Sequence, residues 1–326
     1  MLHSSSRRRL FLTVAALGLA PRAVVAQSYP SRPVRWIVPY PPGGGSDFLA
    51  RTLGVQLEKQ LGQPVVVENR PGAATMIGAE AVAKATPDGY TVLTADNGTL
   101  VFNTALYRKV NYDPVKDFAP VGLMARFPLI LVANTSSGFK SARDVLTAAK
   151  QRPGALSYAS AGAGSPHHLA MELFKQRTGA FIVHIPYRGA APAVQDLLGN
   201  TLPLMVIDTA VGLPHIRAGK LVPLGVFSRQ RLATLPNVPT LEEQGIGDTE
   251  VYAWQGMVVP AATPRDVTAR LTAELSRSIS APDVAKKLQE FGLEPIPGSA
   301  EQMAEYVKSE TARWHGLIRA RGLTLD

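Results

Sequence analysis

The chain has no cysteine among its 326 residues. This absence excludes disulfide bonds, thiolate metal sites and a cysteine nucleophile. Two histidines are adjacent, at His167 and His168, but no third ligand lies at metal spacing from them, so we predict neither a metal nor a cofactor. With 46% apolar and 18% charged residues, the composition is otherwise that of a globular protein.

Long apolar runs are also lacking, because the N-terminal run at residues 10–20 is too short to span a bilayer. Arg7-Arg8-Arg9 precede this run, and Val24-Val25-Ala26 provides a small-residue cleavage site after it. This order is typical of a secretory signal peptide. We therefore predict that residues 1–26 are removed on export and that the mature protein resides in the periplasm. An uncleaved anchor is the alternative, and the export route, Sec or twin-arginine, stays open.

Clustered positive charge is the third absence. The formal net charge is +9, and residues 1–26 carry four arginines and no acidic residue, so the mature chain has 9 − 4 = +5. The remaining basic residues are scattered rather than grouped with aromatic residues, which argues against a nucleic-acid partner. A mildly cationic protein suits an anionic ligand.

A glycine-rich loop follows the first predicted strand. Residues 34–39 predict a buried strand and residues 48–61 a helix, and the turn between them contains Pro42, Gly43, Gly44, Ser46 and Asp47. Ligands bind at such turns in open α/β sheets, where a helix start offers free N–H groups to an anion. The spacing matches neither glycine motif of nucleotide-binding proteins. The alternative is a plain turn in which Asp47 caps the helix.

A second loop of the same design follows the strand predicted at residues 156–159. It contains Ala161, Gly162, Gly164 and Ser165, and a helical pattern begins after it. The first loop belongs to a β-α-β-α-β alternation, which is the half-unit of a doubly wound sheet. The apolar run at residues 129–133 begins a similar second unit, in which Ser141 caps a helix before the second loop. No low-complexity linker separates the two units, so we predict two lobes that face one cleft, with the C-terminal helices packed on the first lobe.

Polar residues stand at two further predicted strand ends. Asn97 and Thr99 follow the strand that begins at Tyr90, and either could cap the next helix. Asp208 ends the strand predicted at residues 202–207, where it could cap a helix or contact a ligand. All three are candidate ligand-binding residues.

The motifs of the mature chain resemble those of the Bug-type periplasmic solute-binding proteins of tripartite tricarboxylate transporters. The resemblance rests on their order along the chain, namely Pro41-Pro42-Gly43-Gly44, Asn69-Arg70-Pro71-Gly72, Pro87-Asp88-Gly89-Tyr90, Gly162-Ala163-Gly164-Ser165 and Pro186-Tyr187-Arg188-Gly189. It implies an α/β fold with two Rossmann-like lobes joined by hinge strands, as in type II periplasmic binding proteins. By analogy, the first lobe would comprise residues 27–127 plus 251–326, and the second residues 128–250.

The resemblance also implies a function. Both glycine loops would hold the carboxylate of a small ligand, with Asp208 at the family's acidic position in the cleft. His168 is a further candidate ligand-binding residue that would line the cleft, and the alternative for it is a structural histidine. The partners would be this carboxylate and membrane transporter subunits, with a sensor kinase as the alternative to transport. The resemblance identifies neither the carboxylate nor the oligomeric state of the protein.

A hydrolase or lyase acting on a small organic acid is the alternative from another class. Ser165, His168 and Asp208 could be arranged as a catalytic triad. The local sequence Gly-Ala-Gly-Ser-Pro differs from the nucleophile motif G-x-S-x-G, and Ser165 at a helix start is more typical of an N-cap. We therefore expect a binding protein rather than an enzyme.

Overall fold

The computed structural model describes residues 29–325. The predicted signal peptide, residues 1–26, lies outside this range. Within it, the elements up to the long central strand are β1 (Val34–Val38), α1 (Gly45–Leu61), β2 (Val65–Asn69), α2 (Met76–Ala83), β3 (Thr91–Asp96), a π-helical turn (Gly98–Phe102), α3 (Asn103–Leu106) and β4 (Phe118–Asn134).

The chain then forms α4 (Ala142–Gln151), β5 (Ser157–Ser160), α5 (Pro166–Thr178), β6 (Val183–Pro186), α6 (Ala190–Leu198), β7 (Leu204–Asp208), α7 (Thr209–Arg217) and β8 (Leu221–Val226). The last elements are β9 (Tyr252–Pro260), α8 (Arg265–Ser280), α9 (Pro282–Glu290), β10 (Glu294–Pro295) and α10 (Ala300–Ala320).

The strands form one mixed sheet in the order β2-β1-β3-β9-β4-β7-β5-β6, with β8 and β10 also paired to β4. In the first lobe β1 lies between its parallel neighbours β2 and β3, and in the second β5 lies between its parallel neighbours β6 and β7. The chain therefore turns back at β1 and at β5. These are the topological switch points where open α/β sheets bind ligands. The predicted two-lobed α/β fold is confirmed.

Strand β4 joins the lobes, and the sequence predicts only the second half of this strand. Residues 118–128 pair with β9 in the first lobe, whereas residues 129–134 pair with β7 and β8 in the second. Pro120 and Pro128 occur within the strand, and proline weakens a strand prediction. The sequence therefore predicts a strand only from Leu129 onward. The lobe boundaries at residues 127/128 and 250/251 stay a prediction.

Each lobe has apolar side chains on both faces of its sheet. Trp36 and Leu53 belong to the cluster that packs α1 and α8 against the first lobe, and Val132 and Leu197 to the cluster under α6 in the second. The C-terminal helix α10 packs against β4 and the π-helical turn, as predicted, and buries Trp314. No helix among residues 29–325 is both long and apolar enough to cross a membrane.

Candidate functional site

The loop between β1 and α1 presents an open helix start. Gly44 is the N-cap of α1 in an extended conformation, and no side chain caps the first turn of this helix. A Cβ atom on Gly43 or Gly44 would meet no other atom within 4 Å, so both glycines border open space. Pro42 beside them is exposed, and Ser46 accepts a hydrogen bond from the Gln255 side chain. The first-turn N–H groups of α1 are therefore suited to an anion.

Asp47 is not the N-cap of α1, which corrects the alternative considered from the sequence. It is the third residue of the helix and is buried, and its carboxylate accepts hydrogen bonds from the Gly43 N–H, the Arg51 guanidinium and the Asn69 amide, each at 3.0 Å. Burial acts to raise the pKa of Asp47, but these hydrogen bonds outweigh it and lower the pKa below the usual value. Asp47 therefore holds the loop in place, and its contact with a ligand stays a prediction.

The polar loop after β3 is also a scaffold in this conformation. Asn97 occupies the N-cap position of the π-helical turn, but its side chain makes no capping bond. The Asp96 carboxylate accepts from the Thr99 N–H at 2.9 Å instead. The Asn97 side chain binds the backbone at the start of β9, and the Thr99 hydroxyl donates to Asp96 or Thr75. Both predicted site residues are fully buried. Ligand contact by either one stays a prediction.

The second glycine loop uses much of its own hydrogen-bonding capacity. Ser165 is the N-cap of α5, as predicted, and accepts from the His168 N–H at 3.3 Å. The Gly162 N–H donates to Ser160 and the Gly164 N–H to Nδ1 of His168. Among these loop residues, the N–H groups of Ala161 and of Ala163 make no hydrogen bond within residues 29–325. Ala161, Gly162 and Ser165 are half-buried, whereas Gly164 is buried.

His168 supports this loop from inside the second lobe, and its contact with a ligand stays a prediction. Its ring is 5% exposed and stacks on His184 with the ring centroids 4.0 Å apart. Burial lowers the pKa of His168 to about 4 and that of His184 to about 3, and the nearby Lys175 ammonium acts in the same direction. Both imidazoles are therefore neutral at pH 7.

The lowered pKa values of these two histidines lead us to expect a loss of stability in acid. Their pKa is lower in the folded state than the unfolded value of about 6.5, so below pH 6.5 the unfolded chain binds protons that the folded chain refuses. The free energy of unfolding should fall between pH 6.5 and about 4, by at most about 1.4 kcal/mol per pH unit for His168 and by less for the half-exposed His184. Urea unfolding at pH 7.0, 5.5 and 4.5 measures this slope.

The variant His168→Asn can still accept from the Gly164 N–H but cannot titrate, so its stability should fall less steeply with acid. His215→Asn, in the half-buried part of α7, is the matched control and should keep the wild-type slope. An unchanged slope in His168→Asn would show that another group causes the acid sensitivity.

Asp208 is the N-cap of α7, and it lies between the lobes. One carboxylate oxygen accepts from the Val211 N–H at 3.1 Å, and the other lies 3.3 Å from Nε2 of His167 at the start of α5. The next residue, Thr209, donates a hydrogen bond to the Gly292 carbonyl of the first lobe. A Cβ on Gly45 would lie 3.4 Å from Cβ of Ala210, so the starts of α1 and α7 meet. The structure therefore gathers the starts of α1, α5 and α7 at one cleft.

Some residues of this region were missed from the sequence. Ala73, Ala74 and Thr75 all have positive φ angles, between 45° and 76°, which non-glycine residues rarely adopt. They form the turn before α2, and Thr75 and Asn103 side chains hold this turn to the π-helical turn. Since alanine gives no signal for a left-handed backbone, only the structure reveals this strained turn.

Comparison with known proteins shows to which family the chain belongs. A family model described as the tripartite tricarboxylate transporter family receptor matches residues 49–323. The chain belongs to this receptor family. The resemblance stated from the motifs is confirmed.

Two curated relatives are similar over nearly the whole chain. A protein encoded in the tcbD-tcbE intergenic region of Pseudomonas sp. strain P51 is 41% identical over 95% of this chain and 94% of its own length. The protein BugT of Bordetella pertussis is 36% identical over 96% of both chains.

Two solved structures share the fold closely. Rpa4515 of R. palustris, determined with adipate, is 35% identical with a TM-score of 0.87, covering 91% of this chain and 100% of its own. MatC of Rhodopseudomonas palustris, with bound malate, is 31% identical with a TM-score of 0.82, covering 89% and 100%.

Proposed function

We propose that this chain is a periplasmic receptor that binds a small carboxylate between its two lobes and delivers it to the membrane subunits of a tripartite tricarboxylate transporter. The observation that carries the proposal is the open start of α1 at Gly44, which meets the start of α7 at the interface of the lobes. A carboxylate there would accept N–H bonds from one lobe while touching the other. Such a ligand stabilises the closed arrangement of the lobes.

The relatives support the same ligand class. Adipate and malate, which occupy Rpa4515 and MatC, are both dicarboxylates. The family is a transporter receptor family, which supports a periplasmic location and transport as the role. The comparisons lend no support to a sensor kinase, so we do not propose one.

We also propose that the protein catalyses no reaction. The Ser165 hydroxyl donates to the Gly162 carbonyl at 2.7 Å, and Nδ1 of His168 accepts from the Gly164 N–H. Asp208 faces His167 rather than His168. The hydrogen-bond relay of a Ser-His-Asp triad, from hydroxyl to imidazole to carboxylate, is therefore not formed by these residues.

Thermal unfolding of the purified protein against a panel of carboxylic acids, including adipate and malate, tests the proposal. An acid at 100 times its Kd should stabilise the protein by about 2.7 kcal/mol. That gain corresponds to a rise in Tm of roughly 5–10 °C. The same mixtures, followed by chromatography, should show no consumption of any acid. Consumption that is lost in Ser165→Ala would favour the hydrolase or lyase, and the absence of any stabilising acid would contradict the receptor.

A further inference from the structure

His167, beside Asp208 at the start of α5, has an unused polar atom. Its side chain is 9% exposed, and Nε2 lies 3.3 Å from Oδ2 of Asp208. The other ring nitrogen, Nδ1, is buried and has no hydrogen-bond partner among residues 29–325. A buried polar atom without a partner is rare in a folded protein and calls for a missing group.

Asp208 presents an electrostatic difficulty for the proposed ligand. Its carboxylate is 13% exposed and stands where two lobes would close on an anion. The other acidic residue of the cleft, Asp47, is neutralised by the guanidinium of Arg51 at 3.0 Å. Asp208 has no such cation among residues 29–325, and its ion-pair partner there is His167, which compensates it only when protonated.

We propose that binding of the carboxylate draws one proton from solvent onto His167. The imidazolium then donates Nε2–H to Asp208, which cancels the negative charge of that carboxylate. Its Nδ1 gains a hydrogen and becomes a donor toward the ligand, directly or through one water. This inference rests on the proposed function and adds that anion binding is linked to proton uptake.

The other charged groups nearby are engaged elsewhere. On α5 itself, His168 faces Gly164 and His184, and Glu172 pairs with Lys175 and with Arg321 of α10. On α7, Asp208 is the ionisable group in contact with His167. From the first lobe, the cleft residue Asp47 stays paired with Arg51. His167 is therefore the group within the described cleft that can take up the compensating proton.

Titration calorimetry tests the linkage with adipate, malate and whichever acid of the panel raises Tm most. Carboxylic acids are ionised above pH 7, so any proton taken up is bound by the protein. At pH 7.5 the observed heat should differ between phosphate and Tris buffers in proportion to their ionisation enthalpies, with up to one proton taken up per ligand. Between pH 7 and pH 8.5 the Kd should rise by up to tenfold per pH unit.

Variants test whether His167 is the residue that takes up the proton. His167→Gln can still donate an N–H to Asp208 but cannot titrate, so its heat should be the same in both buffers and its Kd should stay constant over the same pH range. His215→Gln, also a histidine near a helix end of the second lobe, should retain the wild-type behaviour. Buffer-dependent heat that persists in a folded His167→Gln would overturn the assignment to His167.

The outcomes separate this inference from the proposed function. If an acid binds the wild-type protein with equal heat in both buffers and a constant Kd, the receptor stands and proton uptake is wrong. If no acid binds at all, the receptor proposal fails and the inference fails with it.

Discussion

Gly44→Val should abolish carboxylate binding while leaving the protein folded. A Cβ at this position meets no atom within 4 Å, and the extended backbone of Gly44, with φ −88° and ψ 177°, accommodates a β-branched residue. The added methyl groups would then occupy the space in front of the first-turn N–H groups of α1. We expect a loss of affinity of at least about 100-fold, or about 2.7 kcal/mol, measured by titration calorimetry.

Gly247→Val is the matched control for this prediction. Gly247 is exposed, its φ lies outside the left-handed region, and a Cβ there also meets no atom within 4 Å, but it belongs to the loop before β9. This variant should bind the acid with wild-type affinity. If Gly44→Val binds equally well, the start of α1 is not where the carboxylate lies.

Glu172→Ala should cause a large loss of stability. Glu172 on α5 is 3% exposed, and its two oxygens bind the ammonium of Lys175 at 2.5 Å and the guanidinium of Arg321 at 3.0 Å. Removing the carboxylate leaves the buried Lys175 without its anionic partner. Breaking such a buried pair costs about 3–5 kcal/mol. Urea unfolding should show this loss, and it should be accompanied by a fall in Tm of roughly 5–15 °C.

Glu305→Ala provides a matched comparison, because Glu305 and Lys308 are also three residues apart on a helix but are 73% and 79% exposed. This variant should change the free energy of unfolding by less than about 0.5 kcal/mol. The double variant Glu172→Ala/Lys175→Met removes the unpaired ammonium and should recover part of the loss. Equal losses in Glu172→Ala and Glu305→Ala would show that the buried cluster does not stabilise the fold.

The Glu172 cluster also connects the lobes. Arg321 extends from the end of α10, which packs on the first lobe, to α5 of the second. Close to this link, Leu325 donates a backbone hydrogen bond to Leu106, and a Cβ on Gly164 would lie 2.9 Å from Cδ1 of Leu325. The sequence predicts that the C-terminal helices pack on the first lobe, and the structure agrees. The sequence gives no sign that the end of these helices reaches the second glycine loop.

Local sequence signals suffice to predict two of the helix N-caps. Ser141 caps α4 and Ser165 caps α5 as predicted, since a serine before an apolar helical pattern acts within one turn. The N-cap alternative for Asp47 is wrong, and its contact with Asn69 could not be predicted because Asn69 comes close only when β1 and β2 pair. The stacking of His168 on His184 has no signal in the sequence, because it depends on the packing of α5 against β6.

By itself the sequence determined the export signal prediction, the two β-α-β-α-β units, the two glycine loops between strand and helix, and the resemblance to the receptor family. The signal, the units and the loops depend on residues that are close in the chain, so periodicity and turn residues carry the information. The resemblance depends on the order of several short motifs along the chain. Only the tertiary structure decided that β4 passes through both lobes, that the starts of α1, α5 and α7 meet at one cleft, and that His167 rather than His168 faces Asp208. These facts depend on the register of distant strands and on the rotation of a helix about its axis, which no local pattern specifies.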